Sequence, residues 1–324
     1  MDEVFVRKTL IKPARLHALS ARSDARGALQ ITSHFAAIGL SGYLLHLSLG
    51  SFWAIPGFFV HGVLLNFLYA GQHELCHWTV FKTRPLNEIF GRLIGFLMIY
   101  PRDFDLIQHT AHHRHTQDWA QDGELARPRY TLVSYLLWFF GPTYWYSRVA
   151  RIVRMARGIV IEPYIPVERR AGLIREARLH LLGYAVIAAA SLAAQSWAAV
   201  LYWLAPLLLT KFVQQMQNTI EHLGLSHEQN ILVNTRTTRT NAVMRWLGWN
   251  MQYHTAHHAF PGVPFHRLPV LHREIFKGNG IVPNSMTYLG FQRHLWRALA
   301  GGRSEADYPD DKAWVSDSRP AQGN

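Results

Sequence analysis

Two long stretches of this 324-residue chain carry no charged side chain. From Gly27 to His73 there is no Asp, Glu, Lys or Arg in 47 residues, and from Leu179 to Thr210 there is none in 32. Lys211 is then the only charge before Glu221. Soluble helices of such length keep a polar face, whereas a membrane span takes about 20 apolar residues as helix. Each stretch therefore reads as a hairpin of two spans. The first pair is placed near 29–49 and 53–72, turning at Gly50-Ser51. The second is placed near 178–195 and 198–218, turning at Gln195-Ser196. A charged fraction of 17% agrees, since soluble chains carry about 25%. The expected fold class is all-α, an integral membrane protein with four transmembrane helices in two hairpins and a helical cytosolic cap.

Basic residues set the expected orientation, because Lys and Arg collect on the cytoplasmic side of a membrane. Arg7, Lys8, Lys12, Arg15, Arg22 and Arg26 precede the first span. Arg84, Arg92, Arg102, Arg148, Arg151, Arg154 and Arg157 lie between the hairpins, and the two hairpin turns carry no Lys or Arg. Both termini are therefore expected on the cytoplasmic side. No apolar segment precedes residue 29, so a cleavable signal peptide is not expected. Cys76 is the sole cysteine, which excludes an internal disulfide. A net charge of +12 suits anionic headgroups or an acidic protein. No nucleic-acid motif accompanies it, so nucleic acid is not an expected partner.

Residues 1–28 read as a basic cytoplasmic lead-in, 29–300 as one membrane domain, and 301–324 as a polar, disordered tail. Within the middle segment, 86–100 is apolar but too short for a span and reads as a re-entrant or interfacial helix. The aromatic stretch 131–146 suits the headgroup region. Arg148, Arg151 and Arg154, with Val149, Ile152 and Val153 between them, predict either an amphipathic helix lying on the bilayer or a plain solvated helix face.

Histidine carries the chemistry. "HELCH" places His73 and His77 four apart; "HTAHH" places His109, His112 and His113 together; "NTIEH" pairs Asn218 with His222; a second "HTAHH" holds His254, His257 and His258. On a helix, residues three and four apart share a face, so each cluster can aim its imidazoles at one point. The first and third clusters sit where the second and fourth spans meet the cytoplasm, and the others lie in the cytoplasmic blocks. All can converge on one side of the membrane. Nine imidazoles exceed what one four-coordinate zinc uses. Two redox metals are the simpler account, most plainly two irons. "HELCH" also fits the zinc-protease pattern, with Glu74 as general base. That reading explains two histidines, leaves seven, and finds no carboxylate ligand in another span. His34, His46 and His61 read as hydrogen-bonded core residues, and His115 and His227 as partners that orient ligands. Cys76 reads as a small buried residue.

From about Phe67 to His272 the chain resembles the membrane fatty acid desaturase superfamily, the histidine-box di-iron integral membrane enzymes. "GQHELCHWTVF", "QHTAHHRHTQDWAQDGE", "QNTIEHLG" and "NMQYHTAHHAFPGVPFHRLPVLH" carry the resemblance. It implies two iron ions held by His73, His77, His109, His112, His113, His222, His254, His257 and His258, with Asn218 reaching a metal through water. It implies O2 as co-substrate and a lipid acyl chain in the bilayer as substrate. No fused electron-transfer region is evident, so electrons are expected from a separate donor, ferredoxin-, rubredoxin- or cytochrome b5-like, with its reductase. The expected reaction is desaturation by C–H abstraction. Hydroxylation or alkene formation on the same scaffold, and a non-catalytic metal- or lipid-binding protein, are the alternatives. Pro261, Pro264 and Pro269 are expected to stop the helix behind His258.

Overall fold

The computed structural model describes residues 9–315. Arg7 and Lys8, and 316–324 of the expected disordered tail, lie outside the described residues. Apart from a two-residue parallel pair, Thr237–Thr238 against Ser285–Met286, the regular structure among the described residues is helical.

A short helix α1 (Pro13–Leu19) leads into α2 (Asp24–Ser48), whose first turn is capped by Ser23. The Ser23 hydroxyl accepts the Arg26 N–H, and Asp24 places negative charge at the positive end of the helix. The chain reverses at Gly50, whose φ of 82° is one a side chain rarely adopts. Helices α3 (Ala54–Asn66) and α4 (Leu68–Cys76) then run back along α2 as one rod. Helices α5 (Arg84–Leu97), α6 (Arg102–Arg114), α7 (Leu132–Phe139) and α8 (Pro142–Ala156) form the middle layer. The long α9 (Val167–Ala193) follows, and the chain turns again at Gln195. A π-helical turn (Val200–Leu204), α10 (Ala205–Leu209) and α11 (Lys211–His222) return it. Pro206 has no N–H for the carbonyl of Tyr202 four residues back. Nε2 of His61 meets that carbonyl at 2.8 Å, which accounts for a histidine in an apolar helix. His34 is likewise bonded, to Leu64 O and the Trp249 indole, and His46 to the Tyr202 hydroxyl.

Among the described residues, one helical run, Ala54–Cys76, is long and apolar enough to cross a membrane. Of the other three runs expected to be spans, α2 is one continuous helix, uncharged from Gly27 onward but with Gln30, Thr32, Ser33 and His34 in its first half, and the other two are mixed. In α9 the first half carries Glu168, Arg169, Arg170, Arg175, Glu176 and Arg178, and only the second half is uncharged. The run from Val200 to His222 is interrupted at Thr210. The outward faces are nonetheless apolar: Leu40, Leu44, Leu47, Ile55, Val60, Leu182, Val186 and Leu192 are 51–79% exposed. Apolar exposure on this scale marks a surface made to be covered.

Beyond α11 come α12 (Ile231–Asn234), α13 (Ala242–Leu247), α14 (His254–Ala259), α15 (Leu268–Asn279) and α16 (Tyr288–Ala300). The largest core gathers Leu68, Leu75, Ile94, Phe104, Tyr144, Met155, Leu173 and Trp249 between the rod and the middle layer.

Two expectations are corrected here. Helix α8 does not spread its arginines on a bilayer. Arg148 is buried with its guanidinium 3.3 Å from the Tyr100 ring centre, Arg151 stacks over Phe104, and Arg154 pairs with Glu162. Tyr146 and Val149 face outward instead. Second, the tail is packed as far as Val315. Glu305 is buried and ion-paired with Arg127, and Val315 is 1% exposed. Local composition does not register these contacts, because their partners lie far away in sequence.

Candidate metal centre

Each histidine cluster sits at a helix end that a tight turn defines. His73 lies in the last turn of α4 and His77 caps it; Trp78 then takes a left-handed φ of 53° and stops the helix. Gly71 on the same helix lets Trp249 approach: a Cβ there would stand 2.9 Å from the indole ring. Trp249 and Asn250, at φ 51° and 61°, turn the chain into the fourth cluster. Backbone held in this region costs on the order of 1–3 kcal/mol per residue and persists where surroundings enforce it. Helix α14 ends at Ala259, and Pro261 and Pro264 follow in irregular chain.

All nine histidines come together, in two groups. His73, His77, His109, His113 and His257 form one; His112, His222, His254 and His258 form the other; within each group the ligand nitrogens lie within 4.8 Å of one another. The two H-x-x-H-H clusters do not each serve one point. In each, the residues four apart enter one group and the residue between them enters the other. Adjacent helical positions diverge by about 100°, so His112 and His113, and His257 and His258, address different centres.

The inner nitrogens are all Nε2. His73–His257, His77–His109, His109–His113, His113–His257, His112–His222 and His222–His254 approach at 2.8–3.2 Å. A neutral imidazole has one N–H and one lone pair. Nδ1 of His112 donates to the Asp122 carboxylate at 2.9 Å, and Nδ1 of His222 to the Asn234 carbonyl at 3.0 Å. Both acceptors can only accept. Their Nε2 atoms face each other at 3.1 Å. With both rings neutral that contact sets lone pair against lone pair, and a shared proton on His112 or a metal cation between the rings relieves it. An imidazole nitrogen sits ~2.0–2.1 Å from a first-row ion such as zinc, so two at right angles stand ~3 Å apart. The spacing fits a metal in each group.

Burial works the same way. It is the largest influence on His77, His222 and His257, bringing them down to about 3 with help from neighbouring imidazoles. It holds His109, His113, His254 and His258 well below the usual histidine range. Neutral imidazole is the metal-binding form. At His112, burial is outweighed by Asp122 and Glu124, and the ring rises to about 9.

The outer nitrogens reveal what the sequence reading missed. Asp122 orients His112; Glu124 lies 3.3 Å from His109 Nδ1; Thr116 accepts from His258; Glu221 lies 3.4 Å from His254. Glu74, the general base of the protease reading, faces His257 at 3.3 Å off the hydrogen-bond line. The expected orienting residues do not act: His227 bonds the Gln117 carbonyl and stacks on Trp119, and the ring of His115 meets no ligand. The acidic pair in "QDGE", ten and twelve residues after His112, was the available signal. Cys76 is buried beside Asp105.

A cavity of about 150 Å³ opens onto His73, His112, His222 and His254, walled by Tyr69, Trp138, Glu124, Arg127, Asn218 and Leu223 among others. Asn218 thus lines the site, with its amide bonded to Gln214 and Gln215. On the other side of the 117–126 loop lies a solvent cleft of about 980 Å³, and Asp122 lines both spaces. Arg84, Arg114, Arg169 and Arg175 are exposed there. Arg92 and Arg102 are held by Glu88 and Asp103.

Comparison with known proteins agrees with this geometry. A fatty acid desaturase of Bacillus subtilis (strain 168) is 23% identical over 233 residues, 62% of this chain and 62% of the relative. A sphingolipid delta(4)-desaturase of Drosophila melanogaster is 24% identical over 238 residues, 68% of this chain and 66% of the relative. The chain thus matches somewhat under two thirds of the length of each. The family model for fatty acid desaturases matches residues 50–283, which takes in all nine histidines. With most of its length inside that match, the chain belongs to the fatty acid desaturase family.

Proposed function

We propose that the chain is an integral membrane di-iron enzyme that uses O2 to introduce a double bond into a lipid acyl chain. The observation that carries this is the pair of buried Nε2 clusters, five and four, facing inward at metal-ligand spacing. His73, His77, His109, His113 and His257 would hold one iron; His112, His222, His254 and His258 the other, with Asn218 acting through water. Bound iron would let O2, with two electrons from the donor, act as oxidant on an unactivated C–H bond, which no acid or base in this chain could break.

The protein's part is to hold, orient and exclude. Asp122, Asn234 and Thr116 keep Nδ1 protonated on their histidines, so that each ring offers Nε2 inward. Tyr69, Trp138 and Leu223 wall the cavity and keep the reacting carbons from water. The four-span topology has 29–49, 53–72, 178–195 and 198–218 in the membrane, carried by α2, the α3–α4 rod, the uncharged half of α9 and the run that begins at Val200, with His73 and His222 just beyond the span ends. The apolar outward faces and the absence of Lys and Arg from both hairpin turns support it, with both termini and the metal centre on the cytoplasmic side. Electrons would come from a separate ferredoxin-, rubredoxin- or cytochrome b5-like donor and its reductase, docking at the arginine cleft behind Asp122.

The test is expression in a host followed by mass spectrometry of its lipids, with metal analysis of the purified protein. The expected result is a new acyl species lacking two hydrogens, and iron in the protein. A product gaining one oxygen assigns hydroxylation, and a shortened terminal alkene assigns alkene formation. A single zinc, or iron without donor-dependent O2 uptake, overturns the proposal.

A further inference from the structure

His222 comes from outside the two H-x-x-H-H clusters, and it is the last residue of α11. The last carbonyls of a helix have no partners within it. Here the carbonyls of its last three residues, and those of Leu223 and Gly224 just beyond it, are met from elsewhere. Nη1 of Arg236 donates to the carbonyls of Ile220 and Leu223, and its backbone N–H donates to Glu221 at 2.9 Å. Gln117 donates to the His222 carbonyl at 2.9 Å. The Gly224 carbonyl accepts N–H from Trp314 at 2.9 Å and Val315 at 3.0 Å. Nη2 of Arg236 closes the ring by donating to Val315 O at 2.7 Å.

Arg236 is 1% exposed, and its side-chain bonds run to carbonyls alone. A buried guanidinium without a carboxylate is costly, but the negative end of a helix offsets part of that cost. The C-terminal segment fits closely because residue 224 is glycine. Its φ is 78°, and a Cβ would stand 2.6 Å from that of Val315. Two residues before Arg236, the Asn234 carbonyl takes the proton of His222 Nδ1. The strand of chain that caps the helix therefore also orients the ring.

We propose that Arg236 and the C-terminal segment Asp310–Val315 are positioning elements for His222, setting the geometry of the four-histidine group and leaving the five-histidine group to its own helices. This rests on the reading of His222 as a metal ligand.

The experiment compares purified, detergent-solubilised full-length protein with Arg236→Met, Arg236→Lys and a chain ending at Pro309. Iron per chain and the Mössbauer spectrum are measured, with thermal unfolding as a record of the fold. The expected result is loss of about half the iron in Arg236→Met and in the truncation, with one spectral environment lost and the other kept. His222→Ala should give the same spectrum, and Arg236→Lys should recover part of the lost signal. Full iron with the parental spectrum in both disruptive variants overturns the proposal. So does loss of both environments in step, which would make the segment a general stabiliser. Parental protein without two iron environments would instead sink the di-iron reading, before any variant is compared.

Discussion

The two histidine groups differ in how they are held. The five-histidine group draws on α4, α6 and α14, and its outer contacts are loose. Nδ1 of His113 has no hydrogen-bond partner, Glu74 misses the line to His257, and Glu124 stands 3.3 Å from His109 with its side chain over a third exposed. The four-histidine group draws on α6, α11 and α14, and every outer nitrogen is occupied. Asp122 grips His112, the Asn234 carbonyl His222, Thr116 His258, and Met251 with Glu221 His254. One group relies on the number of its ligands, the other on their orientation. A site with a ligand to spare tolerates a deletion that a fully oriented, four-ligand site does not.

The largest effects should come from the ligands themselves. His113→Ala and His258→Ala are each expected to reduce desaturation beyond the roughly 100-fold reached by outer-contact changes. Metal content should separate them. The five-histidine group keeps four nitrogens after His113→Ala and should retain iron. The other keeps three after His258→Ala and should lose about half the total. Equal iron loss in the two variants would show that the groups are held alike.

Next come the carboxylates. Asp122 receives His112 and also accepts the backbone N–H of Gln117 and Glu124. Asp122→Asn keeps the shape but can present its amide to the ring. A loss of about 10–100-fold in activity or metal affinity is expected, the range for second contacts of metal-bound histidine. Glu124→Gln should fall at the low end of that range. Reversal of the order, measured by iron titration, would move the better-oriented site to the five-histidine group.

These contrasts explain how much was legible in advance. The clustering of the nine histidines showed in the sequence because a metal site would demand one residue type at helical spacing, and His73, His109 and His254 each open such a pattern. The partition into five and four did not show, since it depends on the ~100° between His112 and His113 and on where two helices cross. Asp122 was in view but had no visible partner, because its bond to His112 forms only after the chain turns at Gln117. The packing of Trp314 and Val315 was hidden for the same reason. A polar segment looks disordered until Gly224 and Arg236, some 80–90 residues earlier in the chain, offer it a surface. Helix existence and turn positions at Gly50 and Gln195 followed from patterning. The charged first half of α9 did not, as a span sought by apolarity ends where the charges begin.

A smaller effect concerns the side from which electrons arrive. Asp122 lines both the cavity and the arginine cleft, so a donor seated there would approach the four-histidine group first. Arg169 and Arg175 lie on α9, which carries none of the nine clustered histidines, and have no ion-pair partner among the described residues. The double reversal Arg169→Glu, Arg175→Glu should slow reduction by an acidic [2Fe–2S] ferredoxin by about tenfold at low salt, because charges at a docking rim act chiefly on association rate. Reduction by dithionite should stay unchanged. An unchanged ferredoxin rate would place the donor elsewhere.

The smallest effect tests whether the asymmetry is real. Asn218 lines the cavity beside His222, but its amide oxygen and nitrogen are bonded to Gln214 and Gln215. If it acts on the four-histidine group through one water, Asn218→Ala removes a single hydrogen bond of about 1 kcal/mol, or roughly a fivefold fall in turnover. Iron content should be untouched, since the four imidazoles remain. Loss of half the iron would mean that Asn218 binds metal directly. The smaller group would then have five ligands as well, and the difference between the two sites would reduce to their outer contacts.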